Sequence, residues 1–121
     1  MATRSATLLS KPETTDFEGI SLVQWTGLTK ATDDAGSPVE LPNYSDRSVQ
    51  VTGTFGTGGS VRIEGSLDGT NYATLTDPQG NALDVTAAKI EAISEAVRYI
   101  RPRVTAGDGT TTLVVTILFK R

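Results

Sequence analysis

The chain contains no cysteine and no histidine among its 121 residues. Without them it forms no disulfide, offers no thiolate nucleophile, and builds no Cys/His zinc site or Ser-His-Asp triad. The commonest general base near neutral pH is missing too, so neither an enzyme nor a cofactor is expected. Long apolar runs are also lacking. The opening "MATRSATLLSKPETTD" holds no apolar stretch of signal-peptide length, and no window approaches the roughly 20 apolar residues of a membrane span. Synthesis and folding in a cytosol are therefore expected. The net charge of −3 creates no overall field toward nucleic acid or an anionic membrane, so neither is an expected partner.

What is present is ordinary for one globular domain: 37% hydrophobic and 21% charged residues, too apolar for disorder. A chain of this length buries about two-thirds of its unfolded surface. Threonine, valine and glycine dominate, and turn signals come often, which is how an all-β sandwich or barrel reads. In "RSVQVTGTF" Val49, Val51 and Phe55 recur at period two. "VRIEGSL" places Val61, Ile63 and Leu67 inward and Arg62, Glu64 and Ser66 outward. "TLVVTILF" puts Leu113, Val115, Ile117 and Phe119 on one face, while Val114 and Leu118 make the other face apolar as well. That last strand is expected to be central or covered on both sides.

Glycine-bearing loops at 56–60, 68–70 and 107–110 read as hairpins, which would pair "VRYIRPRVT" with the final strand. Pro102 lacks a ladder donor and marks an edge or a bulge there. "TAAKIEAISEA" (86–96) sets Ile90, Ile93 and Val97 at helical spacing behind Thr86 as N-cap, predicting one short helix. Residues 1–16 read as an N-terminal arm. Residues 17–121 form a single β-sandwich domain, with a first strand over 17–29 and an irregular loop at 30–46.

Four groups of residues are candidates for function. Asp68-Gly69-Thr70-Asn71 and Asp108-Gly109 lack the further acids of a calcium loop and read as turns. Tyr99, Arg101 and Arg103 share a parity on one strand, with Arg98 beside them and Lys120 and Arg121 on the strand expected to pair with it. Interleaved arginine and tyrosine suit a phosphate or a stacked base, but they are also the types enriched in protein interfaces, and the acidic chain favours the latter. Asp33-Asp34 in the loop, and Glu91 with Glu95 on the helix, have no apolar pocket to separate their pKa values. Trp25, the only tryptophan, reads as core, and would stack on a sugar if exposed. The expected contact set is Trp25, Tyr44, Tyr99, Arg101 and Arg103.

From about residue 49 onward, "VQVTGTFGTGGSVRIEGSLDGTNYATLTDPQGNAL" followed by "IEAISEAVRYIRPRVTAGDGTTTLVVTILFKR" resembles a family of small tailed-bacteriophage virion proteins. The shared succession is a glycine-bearing hairpin, a Gly-Ser-x-Asp-Gly turn before an aromatic, Leu-x-Asp-x-x-Gly, a short helix, Arg-Tyr-Ile-Arg-Pro and a closing hairpin. The resemblance implies an antiparallel β-sandwich of jelly-roll type acting as a capsid decoration, or cement, protein. Such a protein binds the outer surface of the major capsid protein shell as a small homo-oligomer, a dimer or trimer. It also leaves open a tail or head-completion role. The "SLDGTNY" turn is similar to one in discoidin-like carbohydrate-binding sandwiches, which implies the alternative of a glycan-binding module on a tail appendage.

Overall fold

A computed structural model describes residues 2–8 and 20–121. The expectations that fall on residue 1 and residues 9–19, part of the arm and the start of the first strand, lie outside the described residues. Strands form where the period-two pattern is cleanest. They are β1 (Thr3–Arg4), β2 (Thr7–Leu8), β3 (Ile20–Thr29), β4 (Ala35–Gly36), β5 (Val39–Glu40), β6 (Asp46–Thr54), β7 (Ser60–Ser66), β8 (Ala73–Thr74), β9 (Asp84–Val85), β10 (Lys89–Ile93), β11 (Tyr99–Ala106) and β12 (Thr112–Lys120). They make two sheets. The first runs β1-β4-β11-β7-β8, with β5 also on β11 and β9 also on β7; the second runs β10-β6-β12-β3-β2.

The inward faces meet in one core. Leu113, Val115, Ile117 and Phe119 of β12 are fully buried, as expected for a strand lying between β6 and β3. Val49 and Val51 of β6 and Val61 and Ile63 of β7 join them. One irregularity enlarges this core. Trp25 pairs with Val115 but Leu28 with Leu113, so β3 spends two residues where β12 spends one. The β-bulge holds Gly27 at φ 64, and it lets Trp25 and Leu28, of opposite parity, both reach 0% exposure.

Several sequence expectations are corrected. No helix occurs among the described residues: Lys89–Ile93 is a strand paired residue for residue with β6. Ile93 faces the core while Ile90 stands 66% exposed, so the helical stripe is never buried as a unit, and a helix this short has little stability of its own. The loops at 56–60 and 107–110 are not hairpins, since β6 and β7, and β11 and β12, lie in different sheets. Glycine supplies the same backbone freedom to a sheet-crossing turn as to a hairpin. Leu67 is 71% exposed because β7 stops at Ser66, and the space over Gly65 is filled by Leu75 and Val97. Pro102 does sit at an interruption, between the pairings of β5 and β4 with β11, and the strand bulges nearby between Val104 and Ala106.

The stretch 30–46 is partly ordered into β4 and β5, and Asp34 within it is fully buried. Arg4 Nε (2.6 Å), the Thr29 amide (2.9 Å) and hydroxyl, and the Thr32 hydroxyl all donate to its carboxylate. Residues 2–8, from the expected arm, add β1 to the first sheet beside β4 and β2 to the second beside β3.

The carboxylates of the turns set a pH profile. Burial acts to raise the Asp34 pKa, but the Thr32, Thr29 and Arg4 hydrogen bonds outweigh it and the pKa is lowered. Asp68 is lowered by the Asn71 and Thr70 amides, Asp77 by the Asn81 amide, and Asp108 by the Thr110 hydroxyl and Thr57 amide. Glu95 is lowered by Thr76 against an opposing effect of burial. Folded values below the unfolded ones, near 3.9 for Asp and 4.3 for Glu, give stability that is complete above those pH values and lost as pH falls through the folded pKa values. Histidine is absent, so no side chain with an ordinary pKa titrates between about pH 5 and 8. Melting temperature is expected to stay level across that window and to fall below about pH 4, as checked by circular dichroism at a series of pH values.

Candidate interaction face

The outward face of the first sheet is built by two neighbouring strands. On β11 the pleat turns Ile100, Pro102 and Val104 into the core and leaves Tyr99, Arg101 and Arg103 facing away from it. On β7 the same alternation presents Arg62, Glu64 and Ser66. Register brings Tyr99 opposite Ser66, Arg101 opposite Glu64 and Arg103 opposite Arg62.

Glu64 is the hub of this face. Only 5% exposed, it accepts Arg101 Nε at 3.1 Å on one oxygen and lies 3.7 Å from Arg103 Nη1 on the other. Two guanidinium groups around one carboxylate leave a local surplus of positive charge. The Arg101 guanidinium lies over the Tyr72 ring, 3.8 Å from its centroid, a cation–π contact that fixes its plane. Burial raises the Tyr72 phenol above its ordinary pKa, with Arg101 acting against the shift. At the far end Arg98 pairs with Glu40 at 2.6 Å and lies over the Tyr99 ring at 5.2 Å. On the flank Arg62 sits 3.7 Å from Asp84. Four arginines (62, 98, 101, 103) meet three carboxylates (40, 64, 84), and Asp68 of the adjoining turn is a fourth, so the face is balanced in charge on a chain whose net charge is −3.

The Asp68 turn supports this face. Asp68 Oδ1 accepts the amides of Thr70 and Asn71, both at 2.8 Å, and the Ser66 hydroxyl at 2.9 Å; Oδ2 accepts the Asn71 side-chain amide. Its acceptors are thus occupied within the turn. Gly69, at φ 80, lies so close to Tyr99 that a Cβ there would stand 3.2 Å from the ring. The turn closes the β7–β8 hairpin and carries Tyr72 onto Arg101. Among the described residues, no three Asp or Glu side chains gather as a metal site would require.

Of the five residues expected to make contacts, the structure brings Tyr99, Arg101 and Arg103 together. Trp25 is elsewhere, fully buried with Nε1 donating to the Ser37 carbonyl at 3.0 Å, so its ring presents no surface to a partner. Tyr44 is half-buried in a separate cluster, edge-on to Phe119 and covered by Arg121. There Arg47, 2% exposed, donates to the carbonyls of Tyr44 and Leu41. Lys120 and Arg121 follow β12 into the second sheet, so they do not join the arginines of β11. Of the rings that could stack on a sugar, Trp25 is buried and Tyr72 has one face taken by Arg101. Sequence reasoning missed Glu64 and Tyr72 as parts of one cluster. The available signal was an acid of outward parity in "VRIEGSL", whose partners lie some 37 residues away.

No protein-family model matches the chain, and no curated protein matches it. Among solved structures, the fold is shared with the SPBc2 prophage-derived protein YomS. That likeness has a TM-score of 0.63 at 11% identity and covers 89% of this chain and 100% of that one. KdgF from Halomonas sp. is more distant, with a TM-score of 0.41 at 11% identity over 96% of this chain and 77% of that one.

Proposed function

We propose that this protein is a structural component of a tailed-bacteriophage virion, a decoration protein that binds the outer surface of the major capsid protein shell and stabilises it. The observation that carries this reading is the outward face of the first sheet. Its central arginine, Arg101, is held by Glu64 and Tyr72 before any partner arrives, which lowers the ordering cost of association. The likeness in fold to a prophage-derived protein supports a phage origin. The fold itself reads as a jelly roll. With β4 and β5 counted as one interrupted strand, and β8 and β9 as another, the eight strands from β3 to β12 run 1-8-3-6 in one sheet and 2-7-4-5 in the other, the interleaving of two Greek keys.

The protein acts by adhesion, as a small homo-oligomer on the capsid exterior, with no catalysis, cofactor, nucleic acid or membrane involved. Repetition over the lattice converts modest single contacts into high avidity. Added to undecorated capsids of the phage that encodes it, the purified protein is expected to bind to a fixed stoichiometry and raise their rupture temperature. Binding that never saturates, or electron-microscopic density along the tail instead of on the shell, overturns this reading.

A further inference from the structure

The second sheet ends at β10, and no strand among the described residues lies beyond it. Unpaired edge N–H and C=O groups are a template for another strand. Of the usual edge protections β10 lacks Pro, bulges and extreme shortness and keeps only its charges, Lys89 and Glu91: "KIEAI" is five residues long and pairs with β6 in unbroken register. Ile90, the second residue of the strand, stands 66% exposed. It lines a shallow apolar groove with Leu118 and Leu22 on the outer face of the sheet. On either side of it in sequence sit charges of opposite sign, Lys89 and Glu91, which share the other face of the strand and lie 3.8 Å apart as a partly exposed ion pair.

We infer that β10 pairs antiparallel with β10 of a second copy about a two-fold axis through Ile90, joining two second sheets into one continuous sheet. Charge selects this register. Centring the axis on Lys89 or on Glu91 sets like charges opposite each other. Centring it on Ile90 puts Lys89 opposite the partner subunit's Glu91, Ile90 opposite the partner subunit's Ile90, and the small Ala88 opposite the partner subunit's Ala92. The two isoleucines then meet on the face that already carries Leu118 and Leu22, and the Lys89–Glu91 pair across the interface is made twice by symmetry. The interface rests on β10 alone and stands or falls separately from capsid binding.

The test is the mass of the full chain, by light scattering or sedimentation over a concentration series. A dimer is expected. Lys89→Glu and Glu91→Lys should each weaken it by about tenfold, because two attractive cross-strand pairs become repulsive. An equimolar mixture of the two variants should restore it, since the heterodimer recovers both opposite-charge pairs. A role for these side chains within one copy does not produce that rescue. Ile90→Ser, on an exposed side chain, should weaken the dimer while leaving the melting temperature of the monomer unchanged. A monomer at every concentration, with the charges merely protecting the edge, overturns the inference. So does a trimer, a dimer indifferent to these substitutions, or a mixture that fails to rescue.

Discussion

Trp25→Ala is expected to lower the melting temperature by about 10–20 °C, from a loss of about 3–5 kcal/mol for emptying a fully buried tryptophan site. The ring is 0% exposed, and its indole N–H is the donor to the Ser37 carbonyl at 3.0 Å. The substitution therefore creates a cavity and also strands a carbonyl. Against a typical total of about 5–15 kcal/mol, this leaves a marginal fold. Trp25→Phe separates the two contributions: it keeps most of the volume, loses the donor, and should cost about 1–2 kcal/mol. The wall opposite the ring gives an independent check. A Cβ on Gly36 would lie 2.6 Å from both Trp25 Cδ1 and Pro102 Cδ, so Gly36→Ala should also destabilise by forcing the tryptophan or β11 to move. Calorimetry on the three variants reads all of this, and a Trp25→Ala protein that melts with the wild type contradicts the described core.

The same residue shows how much of the fold was legible in the sequence. Period two located β6, β7 and β12, because each alternates core residues with residues of the outer sheet face. That rule requires a regular pleat. Trp25 and Leu28 are three apart, and strict alternation cannot bury both; the bulge at Gly27 that permits it depends on pairing with β12, some ninety residues downstream. The helix expected at 86–96 failed for a related reason. Ala, Glu and Lys favour helix locally, but the free edge of β6 offered Lys89–Ile93 a full set of backbone partners, and tertiary pairing outweighed propensity. Which sheet each strand joins was hidden as well, since glycine-rich turns carry no mark distinguishing a hairpin from a crossing.

For the interaction face, local information reached the strand and stopped there. The parity of Tyr99, Arg101 and Arg103 follows from β11 alone. That Glu64 holds two of those arginines, and that Tyr72 lies under one, follows from the β7–β11 register and the Asp68 turn. Sequence spacing encodes neither.

Those contacts make Arg101 the residue whose loss should matter most to binding. Its side chain is 20% exposed and sits between Glu64 and Tyr72, the buried, pre-oriented setting in which interface arginines become hot spots. Under the proposed capsid-binding role, Arg101→Ala is expected to reduce capsid affinity by roughly 30-fold or more, about 2 kcal/mol per site, with avidity deepening the loss at partial occupancy. Arg101→Lys keeps the charge but not the planar stack over Tyr72 or the Nε–H contact to Glu64, so it should fall between Arg101→Ala and the wild type. Arg62, 45% exposed and 3.7 Å from Asp84, is the matched control: a solvated rim pair contributes little, and Arg62→Ala should bind nearly as the wild type does. Glu64→Gln tests the hub, because releasing both arginines from their shared carboxylate should weaken binding although the change adds positive charge. A face acting through net charge alone predicts the opposite sign for Glu64→Gln, and titrating undecorated capsids with the four variants at fixed salt distinguishes the two.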